Sequence, residues 1–298
     1  MAAFREDVDA LQQAKLEVVG TSLRAWEVMG FEIRDSHIVR DPKTGLPILH
    51  KWPQELEKYR DALVYAKSKG LKVHLHLAPN WHQDLSDVEY LYVTRETFSF
   101  VAEMLAEYVD VWQLWNEADI HDYRSYQTIT APSESYLAGF WEAFRAAASE
   151  IRKVDPHARI SMNVGGFYGI SARSATHSRW LTVFDSAREL IVQGLLTDIK
   201  LNIYTEGDNT GVLERVNEFN KYGIPIWVGE FGVCTVERPY SEEDKRRMLL
   251  DAIHTLRRAN VAGIHLYRIR DDATENGCEG SFGVYGRYYV REVLEAMN

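Results

Sequence analysis

Two glutamates at the ends of apolar, strand-like segments are the residues best suited to chemistry in this sequence. Glu117 lies near the end of the segment 111–119, which is rich in Val, Trp and Leu, and Glu230 lies near the end of the apolar segment 224–232. A carboxylate at the end of an apolar strand lowers stability unless it is paired or lies in a cleft. Two such carboxylates in one cleft are what cleavage of a glycosidic bond requires. The elements that separate them by 113 positions must therefore bring them together.

The composition restricts the partners of the chain. It has 298 residues, of which 46% are hydrophobic and 26% charged, as is ordinary for a globular protein. The net charge of −10 argues against nucleic acid and anionic membranes as partners. The sequence contains no run of about 18 apolar residues, so we expect no transmembrane helix. The first residues are polar and lack the apolar centre of a signal peptide, which leaves an intracellular protein and a secreted protein with its signal removed as alternatives.

The two cysteines are too few for a disulfide scaffold. Cys234 and Cys278 both fall in predicted loops, and the sequence has no CxxC motif. A single bridge and two free thiols therefore both stay open.

Helical and strand-like segments alternate along the whole chain. Segments such as 53–68 and 134–154 have helical spacing, whereas 71–77 and 199–204 alternate polar and apolar residues as strands do. Strands separated by helices of this length pair in parallel through right-handed crossovers, in a barrel or a doubly wound sheet. The sequence has neither a Gly-rich phosphate-binding turn after the first strand nor a Walker loop. We therefore expect an α/β fold, a TIM (β/α)8-type barrel that lacks its first β-strand, as a single catalytic domain over residues 1–298.

Two motifs on these strands resemble those of a known group of enzymes. Trp115-Asn116-Glu117 and Gly229-Glu230-Phe231-Gly232 resemble the clan A retaining glycoside hydrolases, with families 5 and 39 the nearest match. The resemblance covers nearly the whole chain, and it implies a retaining β-glycoside hydrolase that needs no cofactor. It also shows a departure, since the strand before Glu117 is only the third that the pattern predicts, where the family has the fourth. The missing first strand would leave two strand edges unpaired, and a homo-oligomer could cover the open edge.

The resemblance also implies roles for individual residues. Glu117 matches the general acid/base, and Glu230 matches the nucleophile that forms the glycosyl-enzyme intermediate. Asn116 matches the amide that binds the sugar 2-hydroxyl. Arg24 matches the arginine that keeps the nucleophile ionised, and Tyr204 matches the tyrosine that donates its hydroxyl to the nucleophile. For each of these residues an ordinary packing or surface role is the alternative.

Further residues could bind the sugar. The clan usually has a tryptophan at the end of its eighth strand, and this chain has none there, so Tyr267 could form the floor of the sugar site. His74 and His76 alternate with apolar residues and should point into the barrel, where His76 could reach a hydroxyl. Trp81 follows that strand and could stack on a sugar ring. The implied substrates are a β-linked oligosaccharide, a polysaccharide or an aryl glycoside, and the sequence names neither the sugar nor exo or endo action.

Two other functions compete with this one. The pair His74 and His76, with Asp271, also suits a barrel metallohydrolase, although the strands 159–164 and 199–204 end without histidine. The favoured prediction nevertheless includes no metal site. The second alternative is a carbohydrate-binding barrel whose catalysis is weak or lost.

Overall fold

The structure is an incomplete barrel of parallel strands surrounded by helices. A computed structural model describes residues 2–129, 133–165, 183–204, 210–233, 240–267, 283–284 and 287–297. In this part of the chain seven parallel strands form one sheet, and each pairs with the next in sequence along the barrel. The expected fold, a TIM-type barrel without its first strand, is confirmed.

The elements alternate as the sequence pattern predicts. The barrel strands are β1 (Val18–Arg24), β6 (Lys72–Ala78), β7 (Val111–Leu114), β8 (Arg159–Val164), β9 (Asp198–Tyr204), β10 (Ile226–Gly232) and β11 (Gly263–Leu266). The helices are α1 (Ala2–Gln13), α2 (Ala25–Val28), α3 (Pro53–Ser68), α4 (Asp87–Leu105), α5 (Glu134–Val154), α6 (Arg188–Val192), α7 (Thr210–Phe219), α8 (Glu242–Arg258) and α9 (Val290–Met297).

The region after β1 contains structure that the sequence pattern did not predict. It forms two short antiparallel pairs, β2 (Met29–Phe31) with β5 (Leu49–Lys51) and β3 (Ile33–Arg34) with β4 (His37–Ile38). These strands have only two or three residues each, which is too short for a clear alternation of polar and apolar side chains.

Local end signals set the bounds of the helices. Pro53 is the first residue of α3, where its missing N–H costs no hydrogen bond. Ser86 and Glu89 form a reciprocal capping box, so α4 begins at Asp87. Gly223, with a left-handed φ of 69°, ends the turn before β10.

The two faces of the barrel strands differ in polarity. Apolar side chains of β6, β8 and β9, such as Val73, Ile160 and Leu201, are buried against the helices. The opposite faces point into the barrel, and there the side chains are mostly polar. His74 and Lys200 are both on this inner face and are almost fully buried. The expected inward direction of the polar faces is therefore confirmed for these strands.

Strands β1 and β11 form the two ends of the sheet. They have no ladder with each other within the described residues, which leaves a seam along the barrel. A cavity of about 1420 Å³ follows this seam from Trp81 and Tyr267 at one end to Leu11 and Met297 at the other. An ordinary TIM barrel has a packed interior, so the open seam sets this chain apart.

No helix of the described residues is long and apolar enough to cross a membrane. Cys234 and Cys278 lie outside the described residues, as does Asp271.

Candidate active site

Glu117 is held in an unusual backbone conformation just after β7. Trp115 and Glu117 have φ angles of 56° and 51°, in the left-handed region that residues with a side chain rarely adopt. The backbone N–H of Glu117 donates a hydrogen bond of 2.7 Å to Oδ1 of Asn163 on β8. Such strain persists only where neighbouring contacts enforce it, and it is common at active sites.

The carboxylate of Glu117 has partners on two sides. Nδ2 of Asn202 donates to its Oε1 at 3.0 Å, and Nε2 of His121 lies 3.5 Å from its Oε2. A Cβ at Gly165 would lie only 2.3 Å from Cδ of Glu117, so the side chain occupies the space that this glycine leaves. With 13% of its side chain exposed, Glu117 is held in one place and still reaches solvent.

Glu230 lies within β10, at a point where the strand is irregular. The pairing with β9 shifts between Val228 and Glu230, which is a β-bulge around Gly229. The hydroxyl of Tyr204 donates a hydrogen bond to Oε2 of Glu230. Burial, followed by the charge of Glu230, raises the pKa of the Tyr204 phenol far above its ordinary value. Tyr204 therefore stays protonated and acts as a donor at any ordinary pH.

Three asparagines connect the strand ends across the barrel. Nδ2 of Asn163 donates to Oδ1 of Asn116 and, at 3.2 Å, to Oδ1 of Asn202. Nδ2 of Asn116 donates to the hydroxyl of Tyr126 at 3.0 Å. Asn202 in turn binds Glu117 and is the β-sheet partner of Glu230. The network therefore places both glutamates at the same end of the barrel.

Most of the predicted site residues share one cavity. The seam cavity is lined by six of the eight: Arg24, His76, Trp81, Asn116, Glu230 and Tyr267. The other two, Glu117 and Tyr204, adjoin it through Asn116 and Glu230. The ring of Tyr267 packs edge-on against Tyr204 at 5.7 Å, and Trp81 is 38% exposed at the rim.

Arg24 is the predicted residue that the structure places differently. It lies on the inner face at the end of β1, but its side chain is 65% exposed. Nη1 lies 4.0 Å from Oε1 of Glu27, and the guanidinium stacks over the ring of Trp26. Arg24 therefore lies at the rim with neighbours from its own segment, and within the described part of the chain it forms no ion pair with Glu230. The expected contact between Arg24 and Glu230 is not made in this structure, because α2 begins directly after Arg24 and supplies nearer partners. The role of Arg24 in the reaction stays a prediction.

Comparison with known proteins agrees with this architecture. The family model described as glycosyl hydrolase catalytic core matches residues 96–282, which is more than half of the chain. The chain belongs to this glycosyl hydrolase family. The predicted enzyme class, a glycoside hydrolase, is thereby confirmed, whereas the narrower assignment to families 5 and 39 stays a prediction. No curated protein matches the chain.

Solved structures share the fold of this glycosyl hydrolase at low sequence identity. The β-glucosidase from Pyrococcus furiosus is 14% identical, with a TM-score of 0.67 over 94% of this chain and 78% of that one. A family 1 β-glucosidase from Thermotoga maritima is 13% identical, with a TM-score of 0.69 over 99% and 86% of the two chains. A β-glycosidase from Pyrococcus horikoshii is 13% identical, with a TM-score of 0.71 over 99% and 84%. At this identity the likeness concerns the fold alone.

The interior of this glycosyl hydrolase below the glutamates contains several basic side chains, of which the sequence left Lys200 without a role. Lys200 on β9 is 1% exposed, and burial lowers its pKa to about 7. His76 lies 3.2 Å from Oγ of Ser22, and burial, followed by the charge of Lys200, lowers its pKa to about 4. His74 packs against the rings of Trp227 and His265, each at 4.7 Å. The histidines are therefore neutral at pH 7.

Asn163, Asn202 and Lys200 are the functional candidates that the sequence left without a role. The only signal was parity, because Lys200 and Asn202 share the inward face with Tyr204. A metal centre receives no support from the described residues, in which no group of three or more His, Cys, Asp or Glu side chains is arranged to hold an ion.

Proposed function

We propose that this chain is a retaining β-glycoside hydrolase in which Glu117 is the general acid/base and Glu230 is the nucleophile. The observation that carries the proposal is the position of Asn202, which donates to Glu117 and pairs with Glu230 across β9 and β10. Two carboxylates on one side of a cleft-forming barrel suit double displacement. The retaining reaction requires their carboxyl groups to be roughly 5–5.5 Å apart when substrate is bound.

The contacts of each glutamate suit the role proposed for it. Glu230 attacks the anomeric carbon while Glu117 gives its proton to the departing glycosidic oxygen. Glu117 then takes a proton from water, and this water displaces Glu230 from the sugar. Tyr204 donates a hydrogen bond to Glu230, which supports a carboxylate that stays ionised until it attacks. Asn116, held by Asn163 beside Glu117, is the group that binds the 2-hydroxyl of the sugar.

The proposed substrate is a β-linked oligosaccharide, a polysaccharide or an aryl glycoside. Trp81 and Tyr267 line the cavity and offer flat surfaces to sugar rings, and His76 is a hydrogen-bonding group nearby. The similar solved structures are β-glucosidases and a β-glycosidase, which agrees with a β-linked substrate. We infer a place near families 5 and 39 of clan A from the two glutamate motifs.

Hydrolysis of a panel of aryl β-glycosides tests the proposal. The wild type should release nitrophenol, and Glu230→Ala should abolish release because no glycosyl-enzyme forms. Glu117→Ala should keep part of its activity on substrates with good leaving groups and recover further with azide, which needs no general base. Glu142→Ala, an exposed glutamate on α5, is the matched control and should behave as the wild type.

The anomeric form of the first product decides between mechanisms. Proton NMR of early reaction samples should show the β-anomer, as double displacement requires. The α-anomer as first product would contradict the proposal. A folded protein that binds oligosaccharides but cleaves none would favour the carbohydrate-binding barrel.

A further inference from the structure

Lys200 is a buried cation at the centre of the barrel. It lies on the inner face of β9 between Asp198 and Asn202, and only 1% of its surface is exposed. Taking an ammonium group out of water is costly unless a negative charge compensates it. The nearby negative charges are those of Asp198 and Glu230.

Asp198 already has a cation of its own. Arg159 binds both of its carboxylate oxygens, and the side chains of Thr197 and Trp227 donate to them at 2.7 and 3.0 Å. A carboxylate accepts about four hydrogen bonds, so these partners fill the capacity of Asp198. Asp198 is thus already compensated by Arg159, and Glu230 is the second carboxylate whose charge acts on Lys200.

The stem of Lys200 packs against the residue that precedes Glu230. Lys200 crosses β10 at Gly229, where an added Cβ would lie 3.0 Å from Cβ and 3.4 Å from Cδ of the lysine. The stem of Lys200 thus packs on the bulge that immediately precedes Glu230. Both residues line the seam cavity. In an interior of low effective dielectric, opposite charges attract strongly even beyond contact distance.

We propose that Lys200 is a positioning residue of the reaction, whose buried ammonium group keeps the Glu230 carboxyl ionised. The family resemblance assigns this task to Arg24, which lies at the rim beside Glu27. The inference rests on the proposed role of Glu230 as the nucleophile.

The charge of Lys200 depends on pH. Burial lowers its pKa from 10.5 to about 7, against the attraction of Asp198 and Glu230 and with a further lowering by Arg159. The remaining groups that interact with it are His74, His76 and His265, whose pKa values burial also lowers, so they are neutral near pH 7. The ammonium form is thus present below pH 7 and is lost above it. This is the acidic range in which a carboxylate needs help to stay ionised.

A carbon-13 NMR titration of the Glu230 carboxyl tests the inference without any turnover. The signal is assigned by its loss in Glu230→Gln. In Lys200→Met the pKa of Glu230 should rise by about one unit or more, because an opposite charge is removed. Lys200→Arg, which keeps the charge, should restore the low value. Lys245→Met is the matched control, because it removes another buried lysine, on α8 and bonded to the carbonyl of Gly283.

The wild type provides a measurement that does not depend on how a variant folds. Its Glu230 signal should show a second step near pH 7, where Lys200 loses its proton, and Lys200→Met should lack this step. Titration curves of wild type and folded Lys200→Met that superimpose, or a wild type without the second step, would overturn the inference. If Glu230 and Lys200 titrate together as expected but the protein cleaves no glycoside, the proposed function fails and the inference about Lys200 does not.

Discussion

At the scale of single residues, the candidate site depends on two glycines as well as on the glutamates proposed to react. Gly165 provides room for the side chain of Glu117, and Gly229 provides room for Lys200. The positive φ of Glu117 adds a strained backbone that the hydrogen bond to Asn163 holds in place. The position of the acid/base candidate is therefore set by residues that do no chemistry themselves.

Replacement of Gly165 by alanine tests this dependence. The new Cβ would lie 2.3 Å from Cδ of Glu117, so the carboxylate must rotate away and lose its bond to Asn202. We expect kcat to fall by about 100-fold, as displacements near 1 Å at a reacting group can cause. Thermal unfolding should change little, because the flexible end of the glutamate can move. Full activity in a folded Gly165→Ala would contradict the arrangement of Glu117 described above.

At the scale of elements, the start of helix α4 also anchors the region that follows β1. The capping box of α4 is joined to the region after β1, because Nε of Arg40 donates a hydrogen bond of 2.5 Å to Oε1 of Glu89. Hydrogen bonds from Arg40 lower the pKa of Glu89 to about 2, and those from Ser86 add to this. The carboxylate of Glu89 thus caps α4 and also binds Arg40, in the connection between β1 and α3.

The contribution of Glu89 to the free energy of unfolding should depend on pH. Its pKa is lower in the folded state than the ordinary 4.5, so its stabilisation is present above pH 4.5 and is lost as pH falls towards 2. Urea unfolding at pH 7 should show Glu89→Gln to be less stable than the wild type, and the difference should shrink by pH 3. Ser86→Ala should lose about 1 kcal/mol as a lost cap. Ser99→Ala, within the same helix, is the control, and a difference that stays constant from pH 7 to 3 would contradict the assignment.

At the scale of the whole molecule, large rings lie along the seam between β1 and β11, the two edge strands of the described sheet. Bulky rings line the interior beside the seam, and glycines on both edge strands make room for them. An added Cβ at Gly263 would lie 2.3 Å from the ring of Trp227, and one at Gly20 would lie 3.3 Å from His265. Large side chains therefore reach over small residues along the wall of the seam cavity. An oligomer that covers the seam stays a prediction, which sedimentation analysis can test.

Truncation of Trp227 tests this packing. The ring is 7% exposed, packs against His74 and His265, and donates a hydrogen bond to Asp198. Trp227→Ala should lower the free energy of unfolding by about 3–5 kcal/mol, because it leaves a void and removes one hydrogen bond to Asp198. Trp81→Ala, at the exposed rim, is the matched control and should change stability by less than about 1 kcal/mol. Equal stability of the two variants would show that the seam interior is not packed as described.

The sequence alone determined the order of the elements, the barrel and the missing strand. These follow from local patterns, since alternation, helical spacing and signals such as Pro53 depend on neighbouring residues. The two glutamates were predictable for the same reason, because each lies at the end of an apolar strand. Parity also placed Tyr204 and His76 on the inner face.

Only the tertiary structure decided which residues meet. Asn163 and Asn202 join the glutamates through contacts between strands far apart in the chain, and no local pattern encodes these contacts. The alternation along β1 placed Arg24 on the inner face, as expected. Alternation does not determine the direction of a long side chain, and the guanidinium of Arg24 lies near Glu27 of α2. In the sequence Lys200 is one more polar inward residue, and only the structure shows that its stem packs on Gly229, the residue before Glu230. Side-chain direction and charge pairing depend on packing between strands, and therefore they become fixed only when the barrel assembles.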